Sequence, residues 1–103
     1  MTDDFSGGDF SAELAGAVLT VTGEVDMATA PRLRAVLAEA VRRPGPPLVV
    51  DLSQVRYLDS AGVGALFEHV HRGLELVVAP GSPVARVLQV TGLTEVATVR
   101  PPV

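Results

Sequence analysis

"LVVDLSQVRYLDSAGVGAL", residues 48–66, decides how this chain is read. It opens on "LVVDL" at 48–52, a near-continuous apolar run bounded by breakers, which is the pattern of a central strand covered on both faces. It closes on a carboxylate beside a hydroxyl, Asp59-Ser60, followed by two glycines, Gly62 and Gly64, in an otherwise apolar segment. Downstream, a helix is predicted through His71 and ended by Gly73, and "LELVVA" at 74–79 resumes strand character. Ser82-Pro83 opens a third helix, Gly92 sits where a C-terminal cap belongs, and a brief strand is expected near Val96–Val99. Strand, helix, strand, helix, strand calls for parallel pairing through right-handed crossovers. In such sheets ligands and partners gather outside the carboxyl ends of the strands, the edge where Ser60 falls.

Upstream the pattern changes period. Phe10, Ala12 and Leu14 alternate with polar residues, Ala15-Gly16 makes a tight turn, and "AVLTVT" at 17–22 continues the alternation as the second arm of a hairpin. Thr29 and Pro31 then open a helix whose buried face is Leu33, Val36, Leu37, Ala40 and Val41, and "RRPGPP" at 42–47 stops it.

Composition narrows the function. A chain of 103 residues without an internal repeat fits one domain that can bury about two-thirds of its unfolded surface. There is no cysteine, hence no disulfide framework and no thiolate metal site. The net charge is −4 and the eight cations, all arginine, are scattered, which is no footprint for nucleic acid. The start "MTDDFSGGDF" lacks the basic and apolar regions of a signal peptide and reads as a frayed tail, and no apolar run reaches membrane-spanning length. A cytoplasmic location and no membrane insertion are expected.

Ser60 admits several readings. A hydrolase nucleophile belongs in G-x-S-x-G, but Leu58-Asp59 precede this serine. A phosphate loop needs G-x-x-x-x-G-K-[ST], and the chain has no lysine. His69 and His71 are two apart, point to different sides of a helix and read as surface residues rather than a metal pair. The plainest role for Asp59 or Ser60 is a helix N-cap, worth about 1 kcal/mol. That leaves the glycines unexplained, since each costs about 1 kcal/mol of helix propensity relative to alanine. Small residues at a helix start admit a close backbone, either the helix's own sheet or an incoming protein.

Residues 48–66 resemble the signature of the STAS domain family, in particular the bacterial anti-sigma factor antagonists. "TGEVDMATAPRLRAVL" at 22–37 resembles that family's T-G-E-(L/V)-D strand end and first helix, and "SPVARVLQVTGL" at 82–93 its third helix. The expected architecture is a single-domain α/β, STAS-like fold over residues 9–100, with a mixed, mainly parallel sheet of about five strands. It carries an N-terminal hairpin and three or more helices, between a flexible tail at 1–8 and a short one at 101–103.

The resemblance implies that Ser60 is phosphorylated by a partner that is both an anti-sigma factor and a serine kinase, and is reset by a serine phosphatase. Many relatives carry a second Ser or Thr next in line, but here Ala61 stands there, so Ser60 is the motif's one hydroxyl. The implied partner surface is Asp26, Asp59, Ser60, Gly62 and Val63. A monomer with no catalysis, no cofactor and no metal is expected. In the implied switch the unmodified chain docks on the kinase and frees a sigma factor, while phosphate beside Asp59 and Asp26 repels the partner. In the free protein the helix N–H groups and dipole are expected to receive that phosphate. The segment after the motif is about one helical turn shorter than in typical antagonists. The alternative is a STAS subunit of a transporter ATPase complex or other scaffold with no phosphorylation cycle, where Ser60 would be an ordinary cap.

Overall fold

The structure is a computed structural model that describes residues 2–4 and 9–102. Among the described residues, six strands and three α-helices follow in the order β1 (Thr2–Asp4), β2 (Phe10–Ala15), β3 (Val18–Val25), α1 (Ala30–Val41), β4 (Val49–Leu58), α2 (Ser60–Phe67), β5 (Glu75–Val77), α3 (Pro83–Val90) and β6 (Thr98–Arg100). Short 3-10 helices lie at Val70–Arg72 and Leu93–Glu95. The strands line up in chain order, β1-β2-β3 antiparallel and β3-β4-β5-β6 parallel, so the mixed sheet with an N-terminal hairpin is the architecture observed. Within the segment expected as a tail, Thr2–Asp4 pairs with β2 as an edge strand, and residues 1 and 5–8 lie outside the described residues. The same holds for Val103 of the C-terminal tail.

The expectation that β4 is covered on both faces is corrected by its burial. Val50 and Leu52 are sealed, while Val49, Asp51 and Ser53 stay half-exposed; β3 alternates likewise, with Leu19, Val21 and Val25 inside. The reason lies in the strand order. Each parallel crossover steps the same way along the sheet, and crossovers of one hand then lay every helix on the same face. Leu33 and Leu37 of α1, Val63 and Leu66 of α2, and Val84 and Leu88 of α3 accordingly share one core with Phe10, Leu14 and Leu52. Alternation was hidden in the sequence because the outward positions of β4 include Val49, a residue that strands favour on either face.

β3 and β4 keep unequal pace. Val18 pairs with Val49 and Val25 with Leu58, so β4 uses two more residues over the shared length, with register shifts near Ser53 and Arg56. At the first shift Asp51 Oδ1 accepts from the Ser53 amide at 2.9 Å and from its hydroxyl, a local turn that holds the extra residue. Gly23 makes the opposing adjustment on β3. Its φ is +93°, and a Cβ there would stand 1.9 Å from the Asp9 carbonyl oxygen, which accepts the Glu24 amide at 2.9 Å. The bulges bring Val25 opposite Leu58, and with them the two strand ends that carry the site.

The helix expected through His71 ends at Phe67, and a 3-10 turn takes over. β5 starts level with Val49, at the far end of β4, so the return segment must run the length of that strand. Nine steps of strand cover roughly 30 Å, whereas residues 60–74 as unbroken α-helix would cover only about 22 Å. The three 3-10 residues, at about 2.0 Å each, gain only about 1.5 Å, so the remaining reach comes from the non-helical residues on either side of them. Gly73, left-handed at φ 82°, closes the turn as anticipated, and Gly92 at φ 84° does the same after α3.

Candidate functional site: the edge around Ser60

Two aspartates build this edge, each at the end of a parallel strand. The Asp59 amide donates to the Val25 carbonyl at 3.1 Å, so Asp26 and Asp59 extend β3 and β4 side by side just past their last paired residues. Parallel neighbours lie about 4.8 Å apart, which places the two side chains within reach of one partner surface.

Asp26 launches α1. Its Oδ1 accepts from the Ala28 and Thr29 amides at 2.9 and 3.1 Å, and its own amide donates to Thr29 Oγ1 at 3.0 Å. That hydroxyl in turn donates to the Glu24 carbonyl at 2.9 Å, so the buried Thr29 is satisfied. Thr29 was expected to open the helix and does occupy the N-cap position, though no side chain caps α1; Asp26 Oδ1 instead holds the turn that leads into it, and the Ala30 amide donates to the Asp26 carbonyl at 2.8 Å.

Asp59, by contrast, caps α2 with its side chain. Its Oδ1 accepts from the Ala61 amide at 2.9 Å and, at 3.4 Å, from Gly62, while the Val63 amide takes the Asp59 carbonyl at 3.0 Å. The Ala61, Gly62 and Val63 amides are therefore already engaged. A phosphate on Ser60 would share the first turn with the Asp59 carboxylate, which already accepts from Ala61 and, at 3.4 Å, from Gly62.

Ser60 is the first residue of α2 and is exposed. With Asp59 as cap, the serine hydroxyl has no capping task, and it hydrogen-bonds to none of the described residues. Asp26 and Asp59 are part-buried at its side, each with one carboxylate oxygen free of capping.

Gly62 and Val63 fall elsewhere than the resemblance implied. Val63 is 4% exposed and belongs to the core, and Gly62 is buried beneath it in the sheet contact. A Cβ on Gly62 would lie 2.4 Å from Leu58 Cδ1 and 2.6 Å from Val25 Cγ1, so the closeness it permits is to the helix's own sheet. Gly64 is different. Its nearest neighbour would be Arg34 Nη2 at 3.9 Å, an ordinary contact, so nothing in the fold requires glycine there. Arg34 is held above it by Glu68, Nε to Oε2 at 2.9 Å.

The sequence reading missed two large apolar side chains at this edge. Met27, directly after Asp26, is 81% exposed, and Tyr57, opposite Glu24 on the open face of the sheet, is 51% exposed. The signal was available for Tyr57: strand alternation puts it out of phase with Leu58, which is buried. Two surface clefts, of about 740 and 390 Å³, have linings that exclude Ser60. The edge is an open rim suited to a protein partner.

Residues 9–100 match the family model described as "Mlab, STAS domain". An anti-sigma-F factor antagonist, RsfB of Mycobacterium tuberculosis, is 37% identical over 81 residues, covering 75% of this chain and 66% of that protein, just under two-thirds of its length. An anti-sigma-B factor antagonist of Listeria monocytogenes is 34% identical over 85 residues, 78% of this chain and 75% of that one. The crystal structure of an anti-sigma factor antagonist from Mycobacterium paratuberculosis superposes with a TM-score of 0.78 at 30% identity, over 91% of this chain and 86% of the other. With its strand order, its capped edge and these matches together, the chain belongs to the STAS domain family.

Proposed function

We propose that this protein is an anti-sigma factor antagonist whose Ser60 edge docks on an anti-sigma factor with serine kinase activity, and that phosphorylation of Ser60 ends the docking. One observation carries the reading: an exposed hydroxyl with no task in the fold, directly after the capping Asp59 and at the edge where β3 ends on Asp26. The similarity to proteins named as antagonists supports it.

The partner's kinase site would transfer the γ-phosphoryl of ATP to Ser60 Oγ. The new O–P bond replaces the one to ADP, and the serine proton leaves to the kinase's base. The product carries about −1.5 to −2 charge at neutral pH beside Asp59 and Asp26. In a desolvated interface that crowding needs to cost only about 4 kcal/mol to weaken binding a thousandfold. A separate phosphatase would hydrolyse the ester and restore docking. Met27 after β3 and Tyr57 near the end of β4 would supply apolar contact at this edge, the class of residue that anchors interfaces. A scaffold subunit of a transporter ATPase would leave Ser60 only the cap's task, which Asp59 already performs.

The test is incubation with the purified anti-sigma factor kinase and ATP, followed by mass spectrometry of the digested chain. One phosphoryl group on the peptide holding Ser60, missing from Ser60→Ala although that variant still binds the kinase, is the expected result. Phosphate on another residue with Ser60 intact would overturn the assignment.

A further inference from the structure

Gly64 has no explanation inside the fold. Glycine is among the poorest helix formers, yet a Cβ at this position would meet nothing nearer, among the described residues, than Arg34 Nη2 at 3.9 Å. The missing side chain relieves no contact within the molecule.

Its surroundings give the gap a shape. At 3.6 residues per turn, Ser60, Gly64, Phe67 and Glu68 fall on one side of α2. Their exposure agrees: Ser60, Phe67 and Glu68 are exposed and Gly64 is half-exposed, while the opposite side of the helix is buried. Successive residues turn by about 100°, so Gly64 lies between Phe67 and Glu68 around the helix. Helical side chains lean towards the N-terminus, which carries both of these over the turn that holds Gly64. Arg34 of α1 fixes the Glu68 carboxylate, Nε to Oε2 at 2.9 Å, and Phe67 is 37% exposed. The bare backbone of Gly64 is thus the floor of a notch, with an aromatic side chain along one wall and an ion pair along the other, and Ser60 stands one turn before it. None of the eight residues of α2, "SAGVGALF", is charged. A helix with no charged face is ordinarily covered all round.

We infer that this notch receives an apolar side chain of the anti-sigma factor kinase, and that Gly64 sets how closely the two proteins approach. The inference rests on the reading of Ser60 as the kinase's target and extends that surface along α2. An interface of about 800 Å² per partner, centred on Ser60, reaches roughly 15 Å in each direction. Along the helix Gly64 and Phe67 are only about 6 and 10 Å away, so a kinase that brings a phosphoryl donor to Ser60 Oγ must overhang both. The occupant is apolar because Arg34 and Glu68 already satisfy each other and the rest of the lining is uncharged. A charged side chain entering there would be buried without a partner.

Calorimetric titration of the purified kinase with the wild-type chain, Gly64→Ala, Gly64→Leu and Phe67→Ala, paired with a urea melt of each sample, tests the notch. Gly64→Ala should bind about tenfold more weakly while its melt shows a chain at least as stable as the wild type, and Gly64→Leu should bind about a hundredfold more weakly. Phe67→Ala should lose about tenfold. Affinity lost without stability lost is a result that a glycine kept only for folding would not give. Gly64→Leu binding like the wild type, while Ser60→Asp binds weakly, would overturn the notch and leave the Ser60 reading standing. A wild-type chain that did not bind the kinase would remove both. Should Gly64→Leu unfold, the other two variants still decide: Gly64→Ala and Phe67→Ala binding as tightly as the wild type would overturn the proposal.

Discussion

Gly62 and Gly64 are the same residue two positions apart in one short helix, and they answer to different causes. At Gly62 a methyl group would enter the space of Leu58 and Val25, the side chains that end β4 and β3. Gly62→Ala should therefore destabilise the chain by about 1–3 kcal/mol, read from urea unfolding. At Gly64 the added methyl meets nothing closer than 3.9 Å, and the helix gains alanine's propensity. Gly64→Ala should stabilise by up to about 1 kcal/mol in the same measurement. Equal losses at both positions would contradict the packing described. Asp59 can be separated from its neighbours by the same logic. Its capping uses one carboxylate oxygen, which asparagine also offers, so Asp59→Asn should keep stability within a few tenths of a kcal/mol while Asp59→Ala loses about 1 kcal/mol. If Asp59→Asn also leaves affinity for the kinase unchanged, the residue is a cap and its charge plays no part in docking.

The elements follow their sequence signals except where the sheet constrains them. α1 starts and stops near its proline and arginine signals because those are local. α2 stops four residues short of His71 because the return path to β5 is longer than an α-helix of that many residues provides. The shortened helix turns His69 inward. The residue is half-buried, and its Nε2 is buried without a hydrogen bond among the described residues, which corrects the expectation of a surface histidine. Removing an unpaired buried polar atom in favour of a ring of similar shape should be neutral or stabilising. His69→Phe should keep the melting temperature or raise it by about 4 °C or more, corresponding to about 1 kcal/mol in a domain of this size. A fall of several degrees would mean that the nitrogen has a partner in solution. The Arg34–Glu68 pair that bridges α1 and α2 is about half exposed at both side chains and adds at most about 1 kcal/mol.

At the scale of the whole molecule, strands in chain order leave one sheet face under helices and gather the β3 and β4 ends at a rim. Ser60 stands on that rim in the open, so charge placed there should act on binding and leave folding almost untouched. Ser60→Asp should bind the kinase weakly while unfolding within about 0.5 kcal/mol of the wild type, the usual range for exposed positions. Calorimetric titration and a denaturant melt of the same sample check both halves. A variant that bound normally, or that failed to fold, would remove the electrostatic basis of the switch.

The α/β class, the hairpin and the crossover order were legible in the residues, because periodicity, caps and turn glycines act over a few neighbours. Tertiary structure decided the rest. Whether β4 is covered on one face or two depends on where three helices fall, and its own apolar residues are compatible with both. Val63 and Gly62 look like a docking motif in the sequence and are core in the fold, because the helix sits against Leu58 and Val25. Asp59 rather than Ser60 caps α2, since the bulged register carries the strand through Leu58 and leaves the aspartate at the turn. Burial and capping are set by residues distant in the chain, and no local pattern carries that information.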